Sequence, residues 1–176
     1  MKKLLTLALA LAISAPAFAQ KMGGTNRNAP KLMQSLTAGE AKMTLNYTSI
    51  TWAQGQMMER LADKENGGRA REYVNQNAAS APLAEFTTSI DCTVGDLKLA
   101  AGSYKVFYTI DDDANWHINF MGKDAKKPMK HKLDLMNSEK KSKRLMMCLY
   151  AADKGAGVYI AFGNQTGMLN FAPAKS

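Results

Sequence analysis

The sequence predicts an all-β domain: an antiparallel β-sandwich, jelly-roll-like or meander, with a short helical insertion near residues 54–77. Three observations predict it. From Ala84 onward, apolar and polar residues alternate with the two-residue period of a half-buried strand. Turn signals such as "VGD", "DDDAN", "DKGAG" and "NQTG" separate these runs at the short intervals of sandwich and barrel folds. The one stretch with helical spacing is brief and broken at Gly67-Gly68.

The chain has 176 residues. It opens on "MKKLLTLALALAISAPAFAQ": a positive start, an apolar run from Leu4 to Ile13, then the small residues "AFA". That run is too short to span a bilayer, and the order of features is that of a secretory signal peptide. Residues 1–19 are therefore expected to be cleaved between Ala19 and Gln20. The expected location is the periplasm or the medium. No later stretch is apolar enough to cross a membrane, so no transmembrane segment is expected in the mature chain. The net charge is +8, and without Lys2 and Lys3 it is +6. On an exported chain such a balance reads first as a solubilising surface. No basic run is interleaved with aromatics, so nucleic acid is not an expected partner.

Residues 20–40 are polar, Gly-containing and aperiodic, and read as a loose N-terminal arm before a single β domain over 41–176. "AKMTLNYTSITW" sets Met43, Leu45 and Tyr47 on one face of a strand. Met57, Met58 and Leu61, then Ala70, Tyr73 and Val74, fall at helical spacing on either side of the glycine pair. Phe86, Ile90, Cys92 and Val94 share one strand face. Tyr104, Val106, Tyr108 and Ile110 share another, and "DDDAN" turns the chain. Trp116, Ile118 and Phe120 follow, with His117 and Asn119 facing away. "MGKDAKKPMK" reads as a basic loop, Leu133 and Leu135 as a short strand, and "SEKKSK" as a second basic turn. "RLMMCLYAA", "VYIAFG" and "MLNFAP" are the closing strands. On this path "DDDAN" and "SEKKSK" share one end of the sheet, and the "KDAKKPMK" loop lies at the other.

"CTVGDLKLAAGSYKVFYTIDDDANWHINF" resembles the bacterial secreted family called domain of unknown function twenty-nine-eleven. The resemblance rests on Lys98, Leu99, Ala101, Gly102, Tyr104, Phe107 and Trp116, on the hairpins within "KRLMMCLYAADKGAGVYIAFGNQTGMLNF", and upstream on Tyr47 and Gly55. It covers residues 40–173. Ala100, Ile50 and Gln56 depart from the family pattern. The family's polar tryptophan-arginine-threonine-glycine-alanine-asparagine-glutamate motif is replaced by "QNAASAP", Gln76 to Pro82. The resemblance implies a fold and no established activity.

The chemistry-bearing residues exclude more than they assign. With two histidines, His117 and His131, and no paired Cys or His spacing, a zinc site has no support. His117 reads as an exposed strand residue and His131 as part of a solvated lysine-rich loop. No Gly-x-Ser-x-Gly elbow is present. Asp111–Asp113 lack the ligand spacing of a calcium loop and read as a solvated turn. The twelve methionines read as gap-filling core residues rather than copper ligands. No cofactor and no metal are expected.

Strand phase supplies the one candidate surface. Leu145, Met147 and Leu149 form the core set of their strand, so Met146, Cys148 and Tyr150 point outward, extended by Tyr159 on the next strand. Cys92 points inward. A disulfide needs side chains that face each other, so two free thiols are expected. The outward stripe is either covered by the helix of Met57, Met58 and Leu61 or open to a partner. The chain therefore reads as an exported, non-catalytic protein of the envelope or periplasm, with a binding or structural role. Its expected partner is a protein or an envelope component. A hydrolase acting on envelope carbohydrate or peptide, and a metal-handling protein, are the alternatives.

Overall fold

The computed structural model describes residues 28–38, 41–51, 56–153 and 155–174. The expected leader, its cleavage point and Gly55 lie outside the described residues, as does the side chain of Met57. Two antiparallel sheets carry the fold. The larger runs β1-β2-β3-β6-β7-β8 and the smaller β5-β4-β10-β9. In chain order these are β1 (Lys31–Ala38), β2 (Ala41–Thr48), β3 (Ala84–Thr88), β4 (Cys92–Val94), β5 (Leu97–Leu99), β6 (Gly102–Ile110), β7 (Trp116–Gly122), β8 (Met129–Lys132), β9 (Met136–Ala152) and β10 (Gly155–Pro173). Two helices, α1 (Gln56–Ala62) and α2 (Gly68–Gln76), interrupt them where the helical spacing lies.

The alternation sets the core. Leu45, Phe86, Val106, Ile118 and Phe120 of the large sheet are nearly inaccessible, as are Val94, Leu145, Met147 and Phe171 of the small one. Phe86 stacks on Phe171 across the two layers with ring centroids 4.6 Å apart, and the Phe120 ring meets both edge-on at 6.1 and 6.2 Å. Such pairs add about 0.5–1.5 kcal/mol each beyond the area they bury.

The open edges of the sandwich are closed by specific contacts. Leu145 N–H donates to the Ile50 carbonyl at 2.8 Å, and the Ser49 hydroxyl donates to the Leu145 carbonyl at 2.8 Å. At the other edge His131 packs against the turn at Gly95, where φ is 56°; a Cβ there would lie 2.6 Å from the imidazole. Glycine is required at that turn for its left-handed backbone and for the space.

The helices cap one end. Leu61 and Val74 bury against Ile110, with Met58, Ala70 and Trp116 packed beside them. Asn75 receives the Ile110 N–H at 2.9 Å and donates to the Ile110 carbonyl at 2.8 Å, tying α2 to the end of β6. Arg71 is 3 % exposed. Its guanidinium donates to the carbonyls of Leu61 in the last turn of α1 and of Asp63 and Lys64 just beyond it.

Several segments differ from the sequence reading. The stretch expected as a loose arm contains β1, paired with β2 residue for residue. It is an edge strand in which only Leu36 is buried among the described side chains, so it carries little alternation. The expected strand at Leu133 and Leu135 is displaced to β8, whose alternate lysines, Lys130 and Lys132, are exposed and hide its period. "SEKKSK" lies within β9, spanning the register shift between Asn137 and Ser142 rather than joining two separate strands. β10 is long, yet its ends meet: a Cβ at Gly155 would lie 2.1 Å from the Phe171 carbonyl oxygen. It therefore folds back on itself, with Gly163 at φ 62° between the two halves, in keeping with the expected "NQTG" turn. The expected placement of the other basic loop holds: β7 and β8 put Lys123, Lys126 and Lys127 at the end opposite the Asp111–Asp113 turn.

Candidate functional site

At the helical end lies a cleft of about 680 Å³, within the size range of small-ligand sites. Four separate segments build it. Met58, Glu59, Ala62 and Lys64 form one wall, from α1 and the residues after it, and Asp113–Trp116 form the next. Lys132–Leu135 and the Asn164-Gln165 pair complete it. Trp116 is half-buried, its ring edge-to-face with Tyr108 at 6.3 Å and with Phe162 at 6.0 Å. Trp116, in phase with Ile118 and Phe120, packs against the core and also lines the cleft.

The turn that shapes the cleft is over-determined. Asp111 Oδ1 accepts the Asn115 N–H at 2.8 Å, and the Asn115 amide donates to both Asp111 oxygens at 3.2 and 3.1 Å. Ala114 is held at φ 62°, a left-handed conformation uncommon for a residue with a Cβ. Burial pushes the Asp111 carboxyl up, but the Asn115 hydrogen bonds and the nearby His117 and Lys130 outweigh it, so it ionises more readily than usual.

His117 corrects the sequence reading. It was expected to be exposed and is 9 % exposed. It lies between Thr109 of β6 and Lys132 of β8 in the register. Its neighbours Phe107 and Asn119 are buried too, so this part of the outer face is not open to water. Nε2 stands 3.7 Å from Asp111 Oδ2, and Nδ1 is buried with no hydrogen-bond partner among the described residues. Burial, then Lys130, hold its pKa below the ordinary imidazole value, and Asp111 opposes them.

The stripe of Met146, Cys148, Tyr150 and Tyr159 is assembled as strand phase requires. Cys148 pairs with Tyr159 across β9 and β10, and Tyr150 with Gly157. Met146 is 43 % exposed and the Cys148 thiol is open, while both tyrosines are half-buried. Tyr150 lies over Gly157 and its hydroxyl reaches Met168 Sδ at 3.7 Å. The described residues of α1 pack instead on α2 and Trp116, at the end of the sandwich. Cys92 is buried and unpaired, its thiol pKa pushed up by burial.

Sequence patterns did not reveal Glu59, Asn115, Asn164 and Gln165 as neighbours. They come from α1, the turn before β7 and the bend within β10, and no local pattern links them. Among the described residues, no group of three or more His, Cys, Asp or Glu is placed to hold a metal ion, and no helix is long and apolar enough to cross a membrane. No family model, no curated protein and no solved structure matches the chain.

Proposed function

We propose that the protein is an exported, non-catalytic binding module, and that its ligand seats in the cleft beside Trp116. The observation that carries this reading is the make-up of the cleft wall. An indole, three carboxamides (Asn115, Asn164, Gln165) and charges of both signs meet there on separate segments. That mixture suits a small polyhydroxylated ligand with an apolar ring face, such as an envelope saccharide, which donates hydrogen bonds to carboxamide and carboxylate oxygens and takes contact from an aromatic ring.

The same wall argues against catalysis. No Ser, Cys or His lines it. The hydrogen bonds among the described residues leave the side chains of Glu59, Asp113 and Asp134 without an orienting partner. A catalytic carboxyl needs supporting contacts that fix its geometry. Export rests on the leader-like first nineteen residues, and the resemblance to the family of unknown function is compatible with it. N-terminal sequencing of protein recovered from the periplasm should begin at Gln20.

The chain has two tryptophans, Trp52 and Trp116. In a Trp52→Phe variant Trp116 is the sole indole. Titration with N-acetylglucosamine oligomers should shift its emission saturably, and Asn164→Ala with Gln165→Ala should abolish the shift. Unchanged emission, or a shift that survives both substitutions, would refute the assignment of the cleft.

A further inference from the structure

β9 changes character along its length. Leu145, Met147 and Leu149 are buried, whereas no residue from Met136 to Arg144 is. That exposed half carries Lys140, Lys141, Lys143 and Arg144 against one acid, Glu139. Among the described residues, none of the three lysines is in an ion pair, while the Arg144 guanidinium donates to the Ser49 carbonyl at 3.2 Å. β10 pairs with this half at Ser142 (with Gly163) and at Asn137 (with Gln165), and the register shifts between the two, so Lys140 and Lys141 lie in a bulge. Three ammonium groups within four residues, outside any ion pair among the described residues, repel one another, and a counter-charge from outside the chain relieves the repulsion.

A second observation lies beside the first. Large apolar side chains are open at few described positions, and three of them, Met136 at 56 %, Met146 at 43 % and Met168 at 53 %, are on β9 and β10. Tyr150 and Tyr159 add half-buried rings with polar tips on the same sheet. Cations next to thioethers and amphipathic rings make the composition of a membrane-interface surface. A soluble polyanion would engage the lysines and leave the methionines without a role. We propose that the basic half of β9 and the adjoining outer face of the small sheet dock on an anionic phospholipid bilayer. The lysines meet headgroup phosphates, and the methionines and tyrosines enter the interface. The cleft beside Trp116 plays no part in this contact.

Co-sedimentation of residues 20–176 with vesicles tests it. Binding is expected to phosphatidylcholine vesicles that contain phosphatidylglycerol, not to phosphatidylcholine alone, and should weaken as salt rises. Lys140→Gln, Lys141→Gln and Lys143→Gln together should lower affinity about a hundredfold, each lysine near an anionic surface being worth roughly a factor of five. The same charge change at the opposite end, Lys123→Gln, Lys126→Gln and Lys127→Gln, should leave binding unchanged. All six side chains are exposed, and circular dichroism would verify that both variants fold. Met146→Ser with Met168→Ser should weaken vesicle binding and leave heparin binding as it was. Three results would overturn the proposal: no binding to the anionic vesicles, equal loss in the two lysine variants, or heparin binding with vesicle binding indifferent to the methionines.

Discussion

The carboxamide of Gln34 completes the hydrogen-bond ladder of β9 at Leu149. Leu149 N–H donates to Gln34 Oε1 at 2.7 Å, and Gln34 Nε2 donates to the neighbouring Met147 carbonyl at 2.8 Å. A side chain from the edge of the large sheet thus stands where another strand would pair. Exposed strand edges invite pairing with other chains, so this contact both closes the sandwich and protects it. Gln34→Ala would leave a donor and an acceptor of partly buried backbone unsatisfied. The expected cost is about 1–3 kcal/mol, read from urea unfolding, with faster hydrogen exchange at the Leu149 amide. Unchanged stability and exchange would mean that water replaces the carboxamide fully.

Two glycines on β10 separate backbone constraint from side-chain crowding. A Cβ at Gly155 would meet the Phe171 carbonyl oxygen at 2.1 Å, at a φ of 147°. A Cβ at Gly157 would meet the Tyr150 ring, 2.2 Å from Cζ. The ring can swing outward; the backbone cannot. Gly155→Ala should therefore cost about 1–3 kcal/mol. Gly157→Ala should cost less and raise the exposure of Tyr150, measured by its reactivity toward iodination. Equal costs would show that the Tyr150 ring is as fixed as the backbone.

His117 sets a pH response on the acid side. Its folded-state pKa lies below the ordinary value of 6.5, chiefly through burial. The unfolded chain therefore binds a proton more readily than the folded one as pH falls through 6.5. Stability present above that pH is lost below it, down to the folded-state pKa. His117→Gln should flatten stability between pH 6.5 and the onset of carboxylate protonation, measured as urea midpoints across pH. A variant with the slope of the parent would place the titration elsewhere.

The thiols divide as the two faces of the small sheet divide. Cys148 is exposed and Cys92 buried. Labelling of native protein should modify Cys148 rapidly and Cys92 only after unfolding, when the pKa raised by burial relaxes. Protection of both in the native state would mean that the outer stripe is covered.

Legibility followed the period of each strand. β3, β6 and β7 are flanked on both sides, so Phe86 and Val106 stand out against exposed Glu85 and Lys105, and Ile118 against its polar neighbours in sequence. The outward stripe of Met146, Cys148 and Tyr150 could be read for the same reason. β1 and β8 could not. One is an edge strand with Leu36 alone buried among its described side chains, and the other alternates lysine with Met129 and His131. His117 was misread because alternation assigns a face but not what lies over it. The cleft was illegible because Glu59, Asn115 and Gln165 meet only after the helices fold over the end of β6.

The central claim is that the cleft beside Trp116 is the binding site. Amide and indole chemical shifts of residues 20–176, followed by NMR during titration with N-acetylglucosamine oligomers, test it most directly. Shifts are expected only at the Trp116 indole, the Asn115, Asn164 and Gln165 carboxamides and the adjoining turn at Ala114. Shifts at Cys148, Tyr150 and Tyr159 with none in the cleft, or no shifts at all, would contradict it.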